Sequence, residues 1–342
     1  MTVIITLEKA PAAADVGMEL RRRGIDAVQV RFARQTVFVL AGAKIDPDQE
    51  QLAGIAGVER VMDAPGPYPL VHRAFHPEGT LVDWGDGVAI GGGRFGLIAD
   101  LVDPAETGSL LPVARSLAES HGAALIARLP DSEGSHGERQ RSAVIEALEE
   151  VRRTTGMRVG IEVTADGDLN DFAAVADLFR VAGERMQDYR LLQRVGAAGK
   201  PVVLVRALSA TLEEWLLAAE YLAATGNDRV ILCERGIRSF APETGRVTLD
   251  LASVARLHEM THLPVVVDPF PSCRSLSLGT RLARAAVAAG ADGIVVPFSF
   301  HPKIGEPALG AAGMAHLAAS LGPILAVEGK QMEKASRLTA PV

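Results

Sequence analysis

Eight short apolar runs, separated by amphipathic helical segments, follow one another along the chain from residue 95 onward. The runs are FGLIA, AALIAR, RVGIEV, LFRVA, PVVLVR, RVILCER, PVVVDP and GIVVPF. Continuous apolar runs that alternate with helices are typical of a parallel sheet covered by helices on its faces. Eight such units predict an α/β fold, a closed (β/α)8 TIM barrel over about residues 95–325, with any functional site at the C-terminal ends of the strands.

An open, doubly wound sheet is the alternative arrangement of such units. Sheets of that kind that bind dinucleotides carry a glycine-rich loop directly after the first strand. Here the glycine-rich segment GGGRFG, at residues 91–96, precedes the first apolar run instead of following it. The sequence therefore favours the closed barrel.

The first 64 residues follow a different pattern. VIITLEK, AVQVRF, TVFVLAG and VERVMDA predict strands, whereas AAADVGMELRRRG and DPDQEQLAGIAG predict helices, the second opened by an aspartate in the capping position. The order βαββαβ predicts a small α+β, ferredoxin-like domain at 1–64, as in ACT-type ligand-sensing modules. Residues 65–94, rich in proline and glycine, predict a connector with a β-hairpin, and residues 326–342 a C-terminal tail.

Charge and cysteine content restrict the classes of function. The chain has 35 Lys and Arg against 42 Asp and Glu, a formal net charge of −7, so nucleic acid is not an expected partner. Two cysteines do not suggest a disulfide scaffold or a zinc cluster. Neither a signal peptide nor an apolar run long enough to span a membrane is found. We expect a cytoplasmic homo-oligomer, dimer or tetramer, that binds a small anionic molecule and no membrane.

Two segments carry a resemblance to a known family. Residues 200–240 predict strand, helix and strand, ending in Cys233-Glu234-Arg235-Gly236, and the connector contains PYPLVHRAFHPEG. In both, the chain resembles the class I (type I-beta) 3-deoxy-7-phosphoheptulonate (DAHP) synthases that have an N-terminal ferredoxin-like domain. The resemblance covers nearly the whole chain and is strongest at 67–98 and 189–269. Those enzymes join phosphoenolpyruvate to erythrose 4-phosphate, the first step of the shikimate pathway.

The resemblance implies a divalent-metal site, from which this sequence departs. The family's ligands are a cysteine after the first strand, a histidine after the seventh, a glutamate ending the eighth and an aspartate in the loop that follows. The first three positions here are Val102, Pro271 and Pro297, and the loop HPKIGEPALGAAG contains no aspartate. Because valine and proline side chains offer no lone pair to a cation, we expect that the inherited metal site is lost and that no cofactor is bound.

The phosphoenolpyruvate site implied by the resemblance also differs. The family's Lys-Pro-Arg-Thr loop becomes LPDSEGSH at 129–136, the fifth-strand lysine becomes Val205, and an arginine after the fourth strand becomes Glu184. A doubly ionised phosphate usually needs several charge-assisted donors, with arginine forks preferred. We therefore expect poor binding of phosphoenolpyruvate and no synthesis of DAHP.

Polar residues that keep matching positions form the candidate site. Ile231, Cys233 and Arg235 share one face of a strand, which predicts that Arg235 points into the barrel mouth and holds an anion. The predicted catalytic residues, available for proton transfer, are Glu162, Asp268 and His301. The predicted substrate-binding residues are Arg128, Arg206, Arg235, Phe270 and Phe298, with Phe300 as a further apolar residue at the mouth.

Several of these residues have a structural interpretation that stays open. Arg206 follows Val205, an inward position, and is equally compatible with an ion pair that faces the helices. Glu162 and Asp268 could simply neutralise the arginines. Cys233 is expected to be a buried apolar group, and Cys273, beside Arg274, is a weaker candidate nucleophile. A new metal site is a further alternative, although its five possible ligands have no recognised spacing: Asp100, Asp103, Asp268, His301 and Glu306.

Two functions from different classes are compatible with this pattern. The first is an enzyme of the DAHP synthase lineage that acts without a metal on another small anionic substrate, in specialised metabolism. The second is a non-catalytic paralogue that regulates or binds a shikimate-pathway enzyme. An open mouth lined by convergent polar groups would favour the enzyme. A mouth plugged by phenylalanines, or a closed ion pair on Arg235, would favour the non-catalytic protein.

Overall fold

The structure is a computed structural model, in which a small sheet domain precedes a barrel. It describes residues 2–6, 10–32, 35–40, 48–63, 66–101, 110–119, 121–128, 134–164, 169–170, 172–240, 247–273, 275–299 and 308–333. Within these ranges, no helix is long and apolar enough to cross a membrane.

The N-terminal part has the predicted order of elements. These are β1 (Thr2–Thr6), α1 (Ala10–Arg22), β2 (Ala27–Phe32), β3 (Gln35–Leu40), α2 (Gln49–Ala53) and β4 (Val58–Asp63). The strands form an antiparallel sheet in the order β2-β3-β1-β4, the arrangement of a ferredoxin-like unit. Asp48 caps α2 by accepting a hydrogen bond from the backbone N–H of Glu50.

Eight parallel strands close into the barrel. They are β7 (Arg94–Leu101), β8 (Gly122–Ala127), β9 (Arg158–Val163), β10 (Leu178–Val181), β11 (Val202–Val205), β12 (Val230–Glu234), β15 (Val265–Val267) and β16 (Gly293–Phe298). The pairing of β16 with β7 closes the circle, in register from Gly293 opposite Gly96 to Phe298 opposite Leu101. The predicted (β/α)8 barrel is therefore confirmed.

Helices cover the outside of the barrel, and most begin at a side chain that caps them. The helices are α3 (Leu110–Glu119), α4 (Gly134–Thr155), α5 (Tyr189–Ala197), α6 (Leu212–Ala223), α7 (Leu251–Met260), α8 (Leu276–Ala288) and α9 (Ala311–Val327). Thr211 and Glu214 form a complete capping box on α6, while Asp188, Asp250 and Ser275 cap α5, α7 and α8. These caps fix where each helix leaves the loop at the C-terminal end of a strand.

A β-hairpin closes the N-terminal end of the barrel. It consists of β5 (Val82–Gly85) and β6 (Val88–Ile90), and its side chains pack with inward residues of the barrel strands in one apolar cluster. Ile90 lies against Gly96 so closely that a Cβ there would be 2.1 Å from its Cδ1 atom. The hairpin side chains thus fill the N-terminal end of the barrel.

Short strands complete the fold. β13 (Ile237–Arg238) pairs with β14 (Val247–Thr248) after the sixth barrel strand. β17 (Gln331–Met332) pairs with β7 beside Arg94 and Phe95. Part of the segment expected to be a C-terminal tail therefore belongs to the fold, because its backbone adds a ninth strand at the start of the barrel. The domain boundaries themselves remain predictions.

The connector is held to the barrel by buried polar side chains. Glu220 accepts backbone hydrogen bonds from Leu70 and Val71 at 3.0–3.1 Å. The Nε2 atom of His262 donates to the carbonyl of Leu70 at 2.8 Å, so its Nδ1 atom accepts from the Thr80 hydroxyl at 2.7 Å. Both ring nitrogens are thus used by a neutral imidazole, and burial lowers the pKa of His262 to about 3.

This geometry predicts acid sensitivity that depends on His262. Its folded-state pKa lies below the ordinary value of 6.5, so its stabilising effect is complete above pH 6.5 and is lost as the pH falls toward 3. The shift corresponds to about 4–5 kcal/mol over that window. We expect His262→Gln to be less stable at neutral pH and to lose that part of the pH dependence. Urea unfolding at a series of pH values checks this, and parallel curves for both proteins would contradict it.

Candidate active site

Side-chain alternation in the strands brings a ring of charged residues to the C-terminal mouth. Ile98, Ile126, Leu178, Cys233 and Val266 belong to the apolar cluster inside the barrel. The residue two positions further along each strand points the same way, one layer closer to the mouth. Those positions hold Asp100, Arg128, Arg180, Arg235 and Asp268, and the equivalent position of β9 holds Glu162.

On one side of the ring, Glu162 contacts two arginines. It is 3% exposed, and its Oε1 atom lies 2.7 Å from Nε of Arg128. Its Oε2 atom lies 2.7 Å from Nε of Arg180, off the direction of the N–H bond, so this contact is ionic without a well-aligned hydrogen bond. Glu162 therefore contacts both guanidiniums and holds them on this side of the barrel.

Arg180 reaches across the barrel interior. Its Nη2 atom donates to Oδ1 of Asp100 at 2.9 Å, although β10 and β7 are separated in the barrel by β8 and β9. Burial alone would lower the pKa of Arg180, but Asp100 and Glu162 outweigh burial and raise it. Arg180 is not among the site residues predicted from the sequence. The signal was present, because alternation from Leu178 places Arg180 on the inward face of an otherwise apolar strand.

Arg235 and Asp268 form the other side of the ring. The Nε atom of Arg235 lies 3.2 Å from Oδ2 of Asp268, again without an aligned hydrogen bond. Burial raises the pKa of Asp268 to about 6, reinforced by Asp100 and opposed by Arg235. Asp268 Oδ1 accepts a hydrogen bond from the backbone of Phe270 at 3.3 Å. A carboxyl that titrates near neutrality can accept and donate protons.

The two signs of charge are exposed unequally. The ring contains three carboxyl groups and three guanidiniums, so the two kinds of group are equal in number. However, Glu162 and Asp268 are buried, whereas the side chains of Arg128 and Arg235 are 50% and 28% exposed. The ring therefore presents positive charge to solvent above negative charge in the interior. Strands β8 and β12, the second and sixth of the eight, place these two arginines on opposite sides of the mouth.

Arg206 lies outside this ring, contrary to its prediction as a substrate-binding residue. It is buried between the barrel and the helices, where Nη1 lies 3.0 Å from both Glu234 Oε2 and Asp250 Oδ2. Its guanidinium also lies 5.9 Å from the ring centroid of Trp215. Because Val205 faces inward, Arg206 must face the helices, as the alternative interpretation stated.

Phe270 and Phe298 are also placed away from the mouth, which corrects their prediction as substrate-binding residues. Both are buried in the layer between the strands and the helices. A Cβ on Gly279 of α8 would lie 2.5 Å from the Phe270 ring. Phe298 follows Pro297, which faces inward, so strand alternation turns its ring outward. Neither phenylalanine plugs the mouth.

The two cysteines are poor nucleophiles. Cys233 is buried in the barrel interior, and burial raises the pKa of its thiol. Burial also raises the pKa of Cys273, to about 11, and its thiol donates to the carbonyl of Pro269 at 3.0 Å. Since the thiolate is the reactive form, neither cysteine fits a covalent role at neutral pH.

Several predicted site residues lie outside the described residues. They include His301, Phe300, Asp103, Glu306 and Val102, as well as Arg274. Among the positions matched to metal ligands, Pro271 lies in an exposed turn and Pro297 faces Asp100 across the β16–β7 pair. The part of the chain that the structure describes contains no group of three or more His, Cys, Asp or Glu side chains that could hold a metal ion.

Comparison with known proteins agrees with this fold. The model of the DAHP synthetase I family matches residues 140–312. A phospho-2-dehydro-3-deoxyheptonate aldolase of Thermotoga maritima is 40% identical over 252 residues, 72% of each protein. A 2-dehydro-3-deoxyphosphooctonate aldolase of Acidithiobacillus ferrooxidans is 34% identical over 167 residues, 46% of this chain and 57% of that relative.

Solved structures extend the similarity to the whole chain. The crystal structure of the phospho-2-dehydro-3-deoxyheptonate aldolase (DAHP synthase) of Thermotoga maritima has a TM-score of 0.71 and 31% identity, covering 96% of this chain and 98% of that one. A truncated form of 3-deoxy-D-arabino-heptulosonate 7-phosphate synthase from Thermotoga maritima has a TM-score of 0.68 and 35% identity, covering 77% of this chain and 98% of that one. By sequence and by fold, this chain belongs to the DAHP synthetase I family.

Proposed function

We propose that this chain binds a small anion at the C-terminal mouth of the barrel and acts on it without a divalent metal, having lost the capacity for DAHP synthesis. The proposal departs from the activity named for the Thermotoga maritima relative. It is supported by Val102, Pro271 and Pro297 at the matched ligand positions, and by the absence of aspartate in the loop HPKIGEPALGAAG. Loss of one ligand can be compensated, but loss of four leaves little to coordinate the cation.

The observation that carries the proposal is the unequal exposure within the charged ring. Buried Glu162 and Asp268 hold the guanidiniums of Arg128 and Arg235 in place, while those guanidiniums keep solvent-exposed area at the mouth. A carboxylate or a single phosphate group fits such donors, because arginine forks bind both in bidentate geometry. The substrate class we propose is therefore a small organic anion.

The proposed chemistry is proton transfer within a substrate held by the two arginines. Asp268 is the candidate acid and base, since its pKa of about 6 allows both protonation states near neutrality. Glu162 lies between Arg128 and Arg180 and positions both guanidiniums. His301 remains a further candidate, in a segment outside the described residues. We also propose that the protein is a cytoplasmic homo-oligomer in specialised metabolism.

A non-catalytic paralogue is the second candidate function, and one observation favours it. Arg180 occupies the barrel interior between Glu162 and Asp100, and Arg235 contacts Asp268, so much of the ring is satisfied internally. A protein of this kind would regulate a shikimate-pathway enzyme or bind to it. The two candidates differ in one respect: Asp268→Asn should abolish turnover but leave anion binding in the enzyme, whereas a non-catalytic protein has no turnover to lose.

Arg235→Ala should weaken anion binding at the mouth by about ten- to a hundredfold. The variant removes a charge-assisted contact, which typically contributes about 1.5–3 kcal/mol. Calorimetric titration of wild type and variant with succinate, a small dicarboxylate, measures the change. Arg185→Ala is the matched control, because Arg185 is an exposed arginine in the loop after β10 whose described ion pair is with Asp188, outside the ring. Equal affinities for wild type and Arg235→Ala would remove Arg235 from the site.

A further inference from the structure

A cleft of about 1010 Å³ lies at the opposite end of the barrel, where three parts of the protein meet. Its walls are Arg31 of the N-terminal sheet, Asp83 and Trp84 of the hairpin, and the residues that precede β10, β11 and β12. The hairpin separates this cleft from the charged ring at the mouth. We propose that the cleft is a second, regulatory site that binds a small phosphorylated metabolite.

The cleft gathers more positive charge than its own carboxylates neutralise. Four cationic side chains line it, namely Arg31, Arg152, Lys200 and Arg229, against three carboxylates, Asp83, Asp177 and Asp228. Asp177 is already engaged by Arg152 at 3.6 Å, by Arg158 at 3.5 Å and by the backbone of Val159 at 3.0 Å. Asp83 accepts a hydrogen bond from the backbone of Gly85 at 2.7 Å. Asp228 is therefore the carboxylate least committed within the cleft.

The cations lie close enough to repel one another. Burial lowers the pKa of Lys200, and Arg152 and Arg229 lower it further, against the opposing effect of Asp177. The Lys200 ammonium donates to the carbonyls of Ala173 and Ala176 and so points into this region. Neither Arg31 nor Arg229 forms a salt bridge with another residue that the structure describes. A multiply charged phosphate would supply acceptor oxygens and negative charge to these cationic side chains.

The position of Arg31 links this site to the N-terminal domain. The backbone carbonyl of Arg31 approaches Gly226 so closely that a Cβ there would lie 2.8 Å from the oxygen, and Gly226 has a φ of +93°. The end of β2 is thus packed directly against the loop that carries Asp228 and Arg229. A phosphate held by both Arg31 and Arg229 bridges the domain to the barrel and stabilises their docked arrangement.

Calorimetric titration of the full-length protein with inorganic pyrophosphate tests this site. Arg31→Gln and Arg229→Gln remove one donor each and should each weaken binding about tenfold or more, whereas Arg185→Ala, an exposed arginine outside both the cleft and the ring, should leave it unchanged. Thermal unfolding of each variant without pyrophosphate establishes that it is folded. The proposal is overturned if wild type does not bind, if both glutamine variants bind as wild type does, or if Arg235→Ala is the variant that loses binding. That last result would place the phosphate at the mouth.

Discussion

Purified protein supplied with phosphoenolpyruvate, erythrose 4-phosphate and manganese should form no measurable DAHP. We propose that two charge-assisted lysine contacts implied by the family resemblance are missing, and each is worth about 1.5–3 kcal/mol. The proposed loss of the cation would remove several further kcal/mol of stabilisation from the polarised carbonyl. Together these losses correspond to a rate at least about four orders of magnitude below that of a metal-dependent synthase.

The assay for this result needs a positive control. The Thermotoga maritima relative, assayed beside this protein with the same substrates and metal, provides it. Manganese-dependent formation of DAHP by this chain would contradict the proposal. It would show that other side chains coordinate the metal in place of those lost at the valine and proline positions. The candidates for that role are Asp103, His301 and Glu306, which lie outside the described residues.

Arg180→Met should destabilise the protein by about 3–5 kcal/mol, the largest stability effect we expect from a residue of the ring. Removing the guanidinium leaves Glu162 and Asp100 without their shared partner, and Glu162 is almost fully buried. Glu162 then keeps only the half-exposed Arg128 as a partner, and a buried carboxylate that loses its buried counterion costs more than the pair contributes. Urea unfolding at constant pH measures the difference in the free energy of unfolding.

A second substitution separates the charge effect from the loss of packing. In Arg180→Met/Glu162→Gln the buried carboxylate is neutral, so much of the lost stability should return. Arg185→Met, on the exposed turn after β10, should change stability by no more than about 0.5 kcal/mol. If Arg180→Met were as stable as wild type, Arg180 would not be the central cation of the ring.

The fold could be predicted from the sequence because its signals are local. Each apolar run is long enough to form a strand, and the helices between the runs carry their own caps, such as Asp188, Thr211 and Asp250. The anchoring of the connector could not be predicted in this way. Glu220 and His262 bind the backbone of Leu70 across separations of 150 and 192 residues, and no local pattern indicates such a contact.

The candidate site could be predicted only in part, and strand alternation explains most of the errors. Arg235 and Asp268 were matched to a family position and lie in the ring. Phe298 is predicted at the mouth, but Pro297, one residue earlier, occupies the inward position, and a shift of one residue reverses the side of a strand. Alternation from Leu178 indicates that Arg180 faces inward, but its partners on β7 and β9 are remote in sequence and could not be predicted.

The most direct test of metal-free anion binding at the mouth is saturation-transfer NMR of succinate with chelator-treated protein. We expect transfer to the succinate methylene signal without metal, no increase when manganese is added, and loss of the signal in Arg128→Ala/Arg235→Ala. Transfer that appears only after manganese is added would contradict it, because the ligand would then be held through a cation. Transfer that persists unchanged in the double variant would equally contradict it, because succinate would then bind elsewhere.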